Sequence, residues 1–239
     1  MPKPKKTILR AYSNKTAVIR ALKFMDKHHK TFYKVETELQ IPKTAVASIL
    51  YVESLYGYLK LKTYPTFDTL LSLAALSHRQ VRKEYLEEIF TQAQKYPLKN
   101  KFKTRNYWNN RMKKIGNFWT GEVQAFLRLS EKLKWDNRKI EKMQGSFVGA
   151  FGFGQMIPST AHEKVKKYGP FDPWNWDDSI LLTGRELQSK DWKKNPKQAI
   201  YEYNNASWYV DAVYALHKEL IRTTINQKKV KTSNANITK

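Results

Sequence analysis

The chain contains no cysteine. That excludes a disulfide framework, a thiol nucleophile and a thiolate-held metal, and gives a membrane-anchored form no support in this chain. Acidic residues are scarce: 21 Asp and Glu stand against 44 Lys and Arg, a formal net charge of +23. No apolar run reaches the roughly 18–20 residues that span a bilayer. The start, Met1-Pro-Lys-Pro-Lys-Lys6, is basic with no apolar segment behind it, so it does not read as a secretory signal. Alternating apolar and polar stretches are few, and no repeat is present. The five histidines (His28, His29, His78, His162, His217) show no metal-binding spacing. No metal and no other cofactor is expected. A serine nucleophile elbow is also missing.

At 239 residues the chain can bury a substantial core in one large domain or two small ones. Its positive charge favours polyanions. The basic residues are spread along the chain, which argues against a dedicated nucleic-acid groove and fits other anionic polymers equally well. The densest run, Lys99–Lys114, holds seven basic residues and no acidic one. It reads first as a solvated surface loop, and second as an anion-attracting lip with Tyr107 and Trp108 available to stack.

Periodicity gives an all-α reading. Helices are expected over 16–33, 45–55, 69–76, 80–95, 118–133, 158–168, 180–187, 197–203 and 207–221. Pro42, Pro158 and Pro196 mark helix starts, and Asp177 or Asp178 is expected to cap the helix at 180. His28 and His29 read as a solvated helix surface. Residues 1–10 form a basic lead and 224–239 a polar, flexible tail. Residues 11–223 then make one domain, which could be built of two lobes joined near 95–118.

Three segments carry candidate chemistry. Gly145, Gly149, Gly152 and Gly154 crowd four of the chain's nine glycines into Gly145-Ser-Phe-Val-Gly-Ala-Phe-Gly-Phe-Gly-Gln-Met-Ile-Pro158. Glycine at that density serves positive φ angles or close backbone approach to a ligand. Neither a phosphate loop nor a dinucleotide fingerprint fits the spacing. Ser146 and Gln155 stand among aromatic residues there, which is pocket-wall chemistry. In Ala47-Ser-Ile-Leu-Tyr-Val-Glu53-Ser-Leu-Tyr-Gly57, helical spacing puts Glu53 on the apolar face, one turn before a glycine. Burial there raises a carboxyl pKa, as a general acid requires. A buried glutamate held by a structural hydrogen bond is the plainer alternative. In the third segment, Tyr203 and Asn204 close a helix and offer neutral donors and acceptors beside aromatic surface. A helix-to-helix turn would use asparagine in the same way.

Together, Glu53-Ser-Leu-Tyr-Gly57, the Gly145–Ser159 loop and Tyr203-Asn-Asn-Ala-Ser-Trp-Tyr-Val210 resemble the membrane-bound lytic transglycosylase B family. Phe67–Ala74, Glu122–Leu129 and Asp172-Pro-Trp-Asn175 extend the likeness from about residue 30 to about 217. The glycine loop is its most discriminating part. The resemblance implies a lysozyme-like helical domain with a deep glycan-binding cleft. It implies Glu53 as the single catalytic acid and base, with Ser146, Gln155, Tyr203 and Asn204 contacting glycan. The implied reaction cleaves the N-acetylmuramic acid–N-acetylglucosamine bond of peptidoglycan and leaves a 1,6-anhydro end. A periplasmic or envelope location, peripheral contact with the anionic wall, a monomer and no nucleic-acid partner follow as expectations. The chain departs from the family in the basic Tyr58-Leu-Lys-Leu-Lys-Thr63 and in Lys99–Lys114. A lysozyme-type hydrolase on this scaffold would need a second carboxylate, from Asp172, Asp177, Asp178 or Glu202. A non-catalytic wall-binding protein would not need Glu53.

Overall fold

The computed structural model describes residues 11–57, 63–95 and 104–237. The chain divides into two compact units, Met1–Lys60 with Asp172–Lys239, and Leu61–Phe171. The passages between them fall at 60/61 and 171/172. Of the 95–118 stretch, expected to join two lobes, residues 95 and 104–118 belong to the second unit, and 96–103 lie outside the described residues.

The first unit is built around helix α3 (Lys43–Ser54), with α1 (Lys15–Lys27), α2 (His29–Thr37), α9 (Trp176–Ser189), α10 (Pro196–Tyr203) and α11 (Ser207–Ile237). Ten of the twelve residues of α3 are buried, so it is enclosed on all sides rather than amphipathic. Its apolar side chains each contribute roughly 1.5–3 kcal/mol when the residue is Val, Leu or Ile. Its polar groups are satisfied locally: the Ser48 and Ser54 hydroxyls donate to the carbonyls of Thr44 and Leu50. Thr44 meets buried His217 Nδ1 at 2.9 Å, and burial pushes that imidazole down to about 4.

The expected 16–33 helix is broken at His28 into α1 and α2. His28 Nδ1 lies 3.0 Å from Asp177 Oδ1, and Thr31 donates to the same oxygen. Its ring sits against Phe24 and is only 11 % exposed. His28 is therefore a packed junction residue, not a solvated one. Asn175, rather than Asp177 or Asp178, caps α9 by accepting from the Asp178 N–H. α11 runs on to Ile237, where a flexible tail was expected. No Gly or Pro interrupts 207–237, and Gln and Lys are good helix formers.

The second unit holds a two-residue antiparallel ribbon, β1 (Tyr64–Pro65) with β2 (Gln144–Gly145). Around it pack α4 (Thr66–Ala75), α5 (Arg79–Lys95), α6 (Arg105–Lys132), α7 (Asn137–Lys142) and α8 (Pro158–Tyr168). α6 begins thirteen residues before the expected 118, and its 28 residues reach about 42 Å. Thr104 starts it by accepting from the Tyr107 N–H. Gly116 lets it press on the α4–α5 corner, since a Cβ there would stand 2.0 Å from the Ser77 nitrogen. Buried Arg82 closes that corner by donating to the Leu76 and Ser77 carbonyls. The 105–114 part of the basic run is thus helix, and 99–103 lies outside the described residues, as does the 1–10 lead. No helix is long and apolar enough to cross a membrane among the described residues.

Candidate active site

Glu53 lies on the last turn of α3, one residue before its end. The chain leaves the helix through Leu55, Tyr56 and Gly57, with φ of +48°, +56° and +80°. Left-handed backbone costs a non-glycine residue roughly 1–2 kcal/mol. Tyr56 holds the turn in place. Its ring stacks on Phe24 at 4.0 Å, and its hydroxyl donates to the Ala47 carbonyl at 2.8 Å. Strain held in this way by surrounding packing is a mark of functional positions.

The Glu53 carboxylate accepts a 2.6 Å hydrogen bond at Oε1 from the Tyr209 hydroxyl. The Asn204 side chain also donates to it. Burial raises its pKa to about 7, against the lowering effect of those two donors. Near neutral pH the acid and carboxylate forms are therefore present in comparable amounts. Burial likewise pushes the Tyr209 hydroxyl well up, with the Glu53 charge adding to the rise. Tyr12, half enclosed nearby, is raised by burial and then by Tyr51 and Glu53.

Of the expected residues, Asn204 reaches Glu53 directly. It is the residue at which α10 ends, and its extended backbone turns the chain toward α11. Tyr203 stands one layer behind. Its ring lies parallel to that of Tyr209 at 6.5 Å, and its hydroxyl bonds Thr183 on α9. Tyr209 itself was missed. The signal was an aromatic residue two positions into α11, in the segment already singled out, where it reads as ordinary core.

None of the four carboxylates considered for hydrolysis acts on Glu53. Asp177 is held by Thr31 and His28. In the α9 entry turn Asp172 accepts from the Trp174 N–H, and Asp178 accepts from the Asp172 N–H. Glu202 accepts from Gln198. The charge of Glu186, paired with Lys190, is felt by Tyr203.

Ser146 and Gln155 both lie in the glycine loop of the second unit. Phe151 anchors that loop, fully buried between Phe126 and Trp135, each about 6.1 Å away. Paired backbone bonds tie Phe151 to Met156, and the Ser146 N–H donates to the Ala150 carbonyl at 2.8 Å. The outer turn closes with the Gly149 N–H on the Ser146 carbonyl at 2.9 Å. Gly149 has φ +70°, and a Cβ there would lie 2.6 Å from Leu70 Cδ2. Ser146 Oγ accepts from the N–H groups of Ala150 at 3.1 Å and Val148 at 3.4 Å. Its own proton is left to donate elsewhere. Gln155 donates from Nε2 to the Gly152 carbonyl at 2.9 Å, from a backbone with φ +47°. Its Oε1 remains an acceptor.

A family model described as the transglycosylase SLT domain matches residues 2–199 of this chain. The chain belongs to that family and is a lytic transglycosylase, an enzyme of the class that acts on peptidoglycan. Its fold is that of solved enzymes of this kind. The soluble lytic transglycosylase SltB1 from Pseudomonas aeruginosa aligns with TM-score 0.67 and 17 % identity, over 94 % of this chain and 85 % of that one. The Escherichia coli lytic transglycosylase Slt35, solved with bulgecin A, gives 0.64 and 15 %, over 92 % and 78 %. SltB3 from Pseudomonas aeruginosa, solved with NAG-anhNAM-pentapeptide, gives 0.65 and 16 %, over 91 % and 67 %. No curated protein sequence matches.

Proposed function

We propose that this enzyme cleaves the N-acetylmuramic acid–N-acetylglucosamine β-1,4 bond of peptidoglycan strands without water, with Glu53 as its one acid and base. The observation that carries the reading is a mostly buried carboxyl with a pKa of about 7, held by Tyr209 and Asn204, on which no second carboxylate acts among the described residues. Two-carboxylate glycosidases divide acid and nucleophile between a pair of side chains. A lone carboxyl poised near neutrality can serve as acid and then as base.

Tyr209 donates to Oε1, which directs the transferable proton to Oε2. Protonated Glu53 gives that proton to the glycosidic oxygen, and the C1–O bond of the muramic residue breaks. The substrate's own acetamido oxygen stabilises the cationic centre. The Glu53 carboxylate then takes the proton of the 6-hydroxyl as that oxygen bonds C1. The products are a free 4-hydroxyl and a 1,6-anhydro ring, and Glu53 ends protonated as it began. Ser146, donating its hydroxyl proton, and Gln155, accepting at Oε1, supply glycan contacts from the loop. Tyr203 supports the ring of Tyr209. A substrate in the wall places the enzyme in the cell envelope, where its net charge of +23 favours an anionic polymer.

The test is digestion of purified peptidoglycan by wild type and Glu53→Gln, with mass spectrometry of the released sugar ends. Anhydro ends, one water lighter than reducing ends, are expected from wild type only. Reducing ends would make the enzyme a hydrolase, and equal release by the variant would remove Glu53 from its role.

A further inference from the structure

Glu122 is 3 % exposed, whereas the other carboxylate of α6, Glu131, is at the surface. Its two oxygens are both engaged by one residue: Oε2 accepts from the Ser159 N–H at 2.8 Å, and Oε1 accepts from the Ser159 hydroxyl at 2.6 Å. Ser159 is the second residue of α8, behind Pro158. The residue in the N-cap position is Ile157, whose side chain has no acceptor to offer the first-turn N–H groups. Glu122 therefore does from another helix what a local Asp or Ser does at most helix starts. The negative charge also faces the positive end of the α8 dipole.

The residues just before this anchor are the loop itself. Gln155 is four positions from Ser159, and Met156 exchanges backbone bonds of 2.9 and 3.0 Å with Phe151. The upstream end of the loop is held by the β1–β2 ribbon and by the Thr66 N–H on the Met143 carbonyl at 2.9 Å. The downstream end has the Glu122–Ser159 pair.

We propose that Glu122 is a positioning residue for glycan binding: by clamping the start of α8 it fixes where Gln155, and through the Phe151 bridge Ser146, present their polar groups. The proposal rests on the glycan-contacting role of the loop stated above. It separates Glu122 from Glu53, since one carboxyl holds a helix start and shapes a loop while the other exchanges protons.

The experiment compares steady-state kinetics on solubilised peptidoglycan strands for Glu122→Ala, Ser159→Ala and Glu122→Gln, together with their melting temperatures. Glu122→Ala should raise KM about tenfold, the loss of one to two hydrogen bonds, with kcat within about threefold of wild type. Ser159→Ala, which keeps the N–H bond, should raise KM about threefold. Glu122→Gln should restore KM, because its amide can accept from the N–H and donate to the hydroxyl. Met112→Ala, a cavity in the same helix at a residue 5 % exposed, should lower the melting temperature and leave KM alone. A lowered melting temperature with unchanged KM in both Glu122→Ala and Ser159→Ala would overturn the proposal, reducing Glu122 to a helix cap. Gln155→Ala, measured beside them, keeps the two readings apart: its silence strikes the role of the loop. A raised KM in Gln155→Ala with none in Glu122→Ala strikes the positioning role alone.

Discussion

The Glu53 pocket and the glycine loop are held by different means. Glu53 is surrounded by side chains: Tyr209 donates at 2.6 Å, Asn204 donates beside it, and Tyr203 backs Tyr209. Their effect is on the proton affinity of one carboxyl. The loop is held mainly by its own backbone, with Phe151 as the plug and Gly149 at φ +70° as the turn. Its effect is on where a hydroxyl and an amide point. The first region is chemically tuned and the second is shaped. Substitutions in the pocket should therefore alter pH profiles, and substitutions in the loop should alter affinity without moving them.

The largest expected effect is that of Glu53→Gln on turnover, a loss of about 10²–10⁴-fold or more from removing the acid. The same variant should stabilise the protein. Above pH 4.5 the unfolded chain releases this proton, while the folded protein keeps it until about 7. The carboxyl therefore lowers stability as pH rises from 4.5 to 7, by about 3 kcal/mol at pH 8. Glu53→Gln is free of that cost, so its melting temperature should exceed wild type by roughly 10 °C at pH 8 and match it at pH 4. Equal melting at both pH values would mean that Glu53 is not buried as described.

Tyr209→Phe comes next, with an expected loss of about 10–100-fold in turnover. Removing a donor to the carboxylate raises the Glu53 pKa further, so the basic limb of the rate profile should move to higher pH. A lower rate on an unmoved limb would detach Tyr209 from the acid. In the loop, Gly149→Ala strains the turn and meets Leu70, so its stability should fall by about 1–2 kcal/mol, read by denaturant unfolding. Ser146→Ala should cost about tenfold in kcat/KM, one hydrogen bond's worth, with the pH limbs in place. A shifted limb in Ser146→Ala would erase the contrast between the regions.

Much of the pocket was legible in the sequence because its signals are local. Helical spacing put Glu53 on the apolar face of α3, and the structure gives it the raised pKa that such burial implies. The expected 158–168 helix forms over the same residues, because proline suits the first helical position. Packing between distant segments was not legible. Residues 105–117, rich in Lys, Arg and Asn, read as linker, yet they form helix because Gly116 fits against Ser77, 39 positions away. The break at His28 depends on Asp177, 149 positions away. Tyr209 looks like core until its hydroxyl is seen on Glu53. Glu122 was noted only within a family-like segment, since nothing local announces that it clamps Ser159.

The most direct measurement of the central claim is a carbon-13 NMR titration of the Glu53 carboxyl, assigned by its absence in Glu53→Gln. A midpoint near 7 in wild type, moving upward in Tyr209→Phe, is the result expected of a buried acid held by that hydroxyl. A midpoint near 4.5, unmoved in Tyr209→Phe, would leave Glu53 ionised at neutral pH with no proton to give the glycosidic oxygen, and would contradict the account.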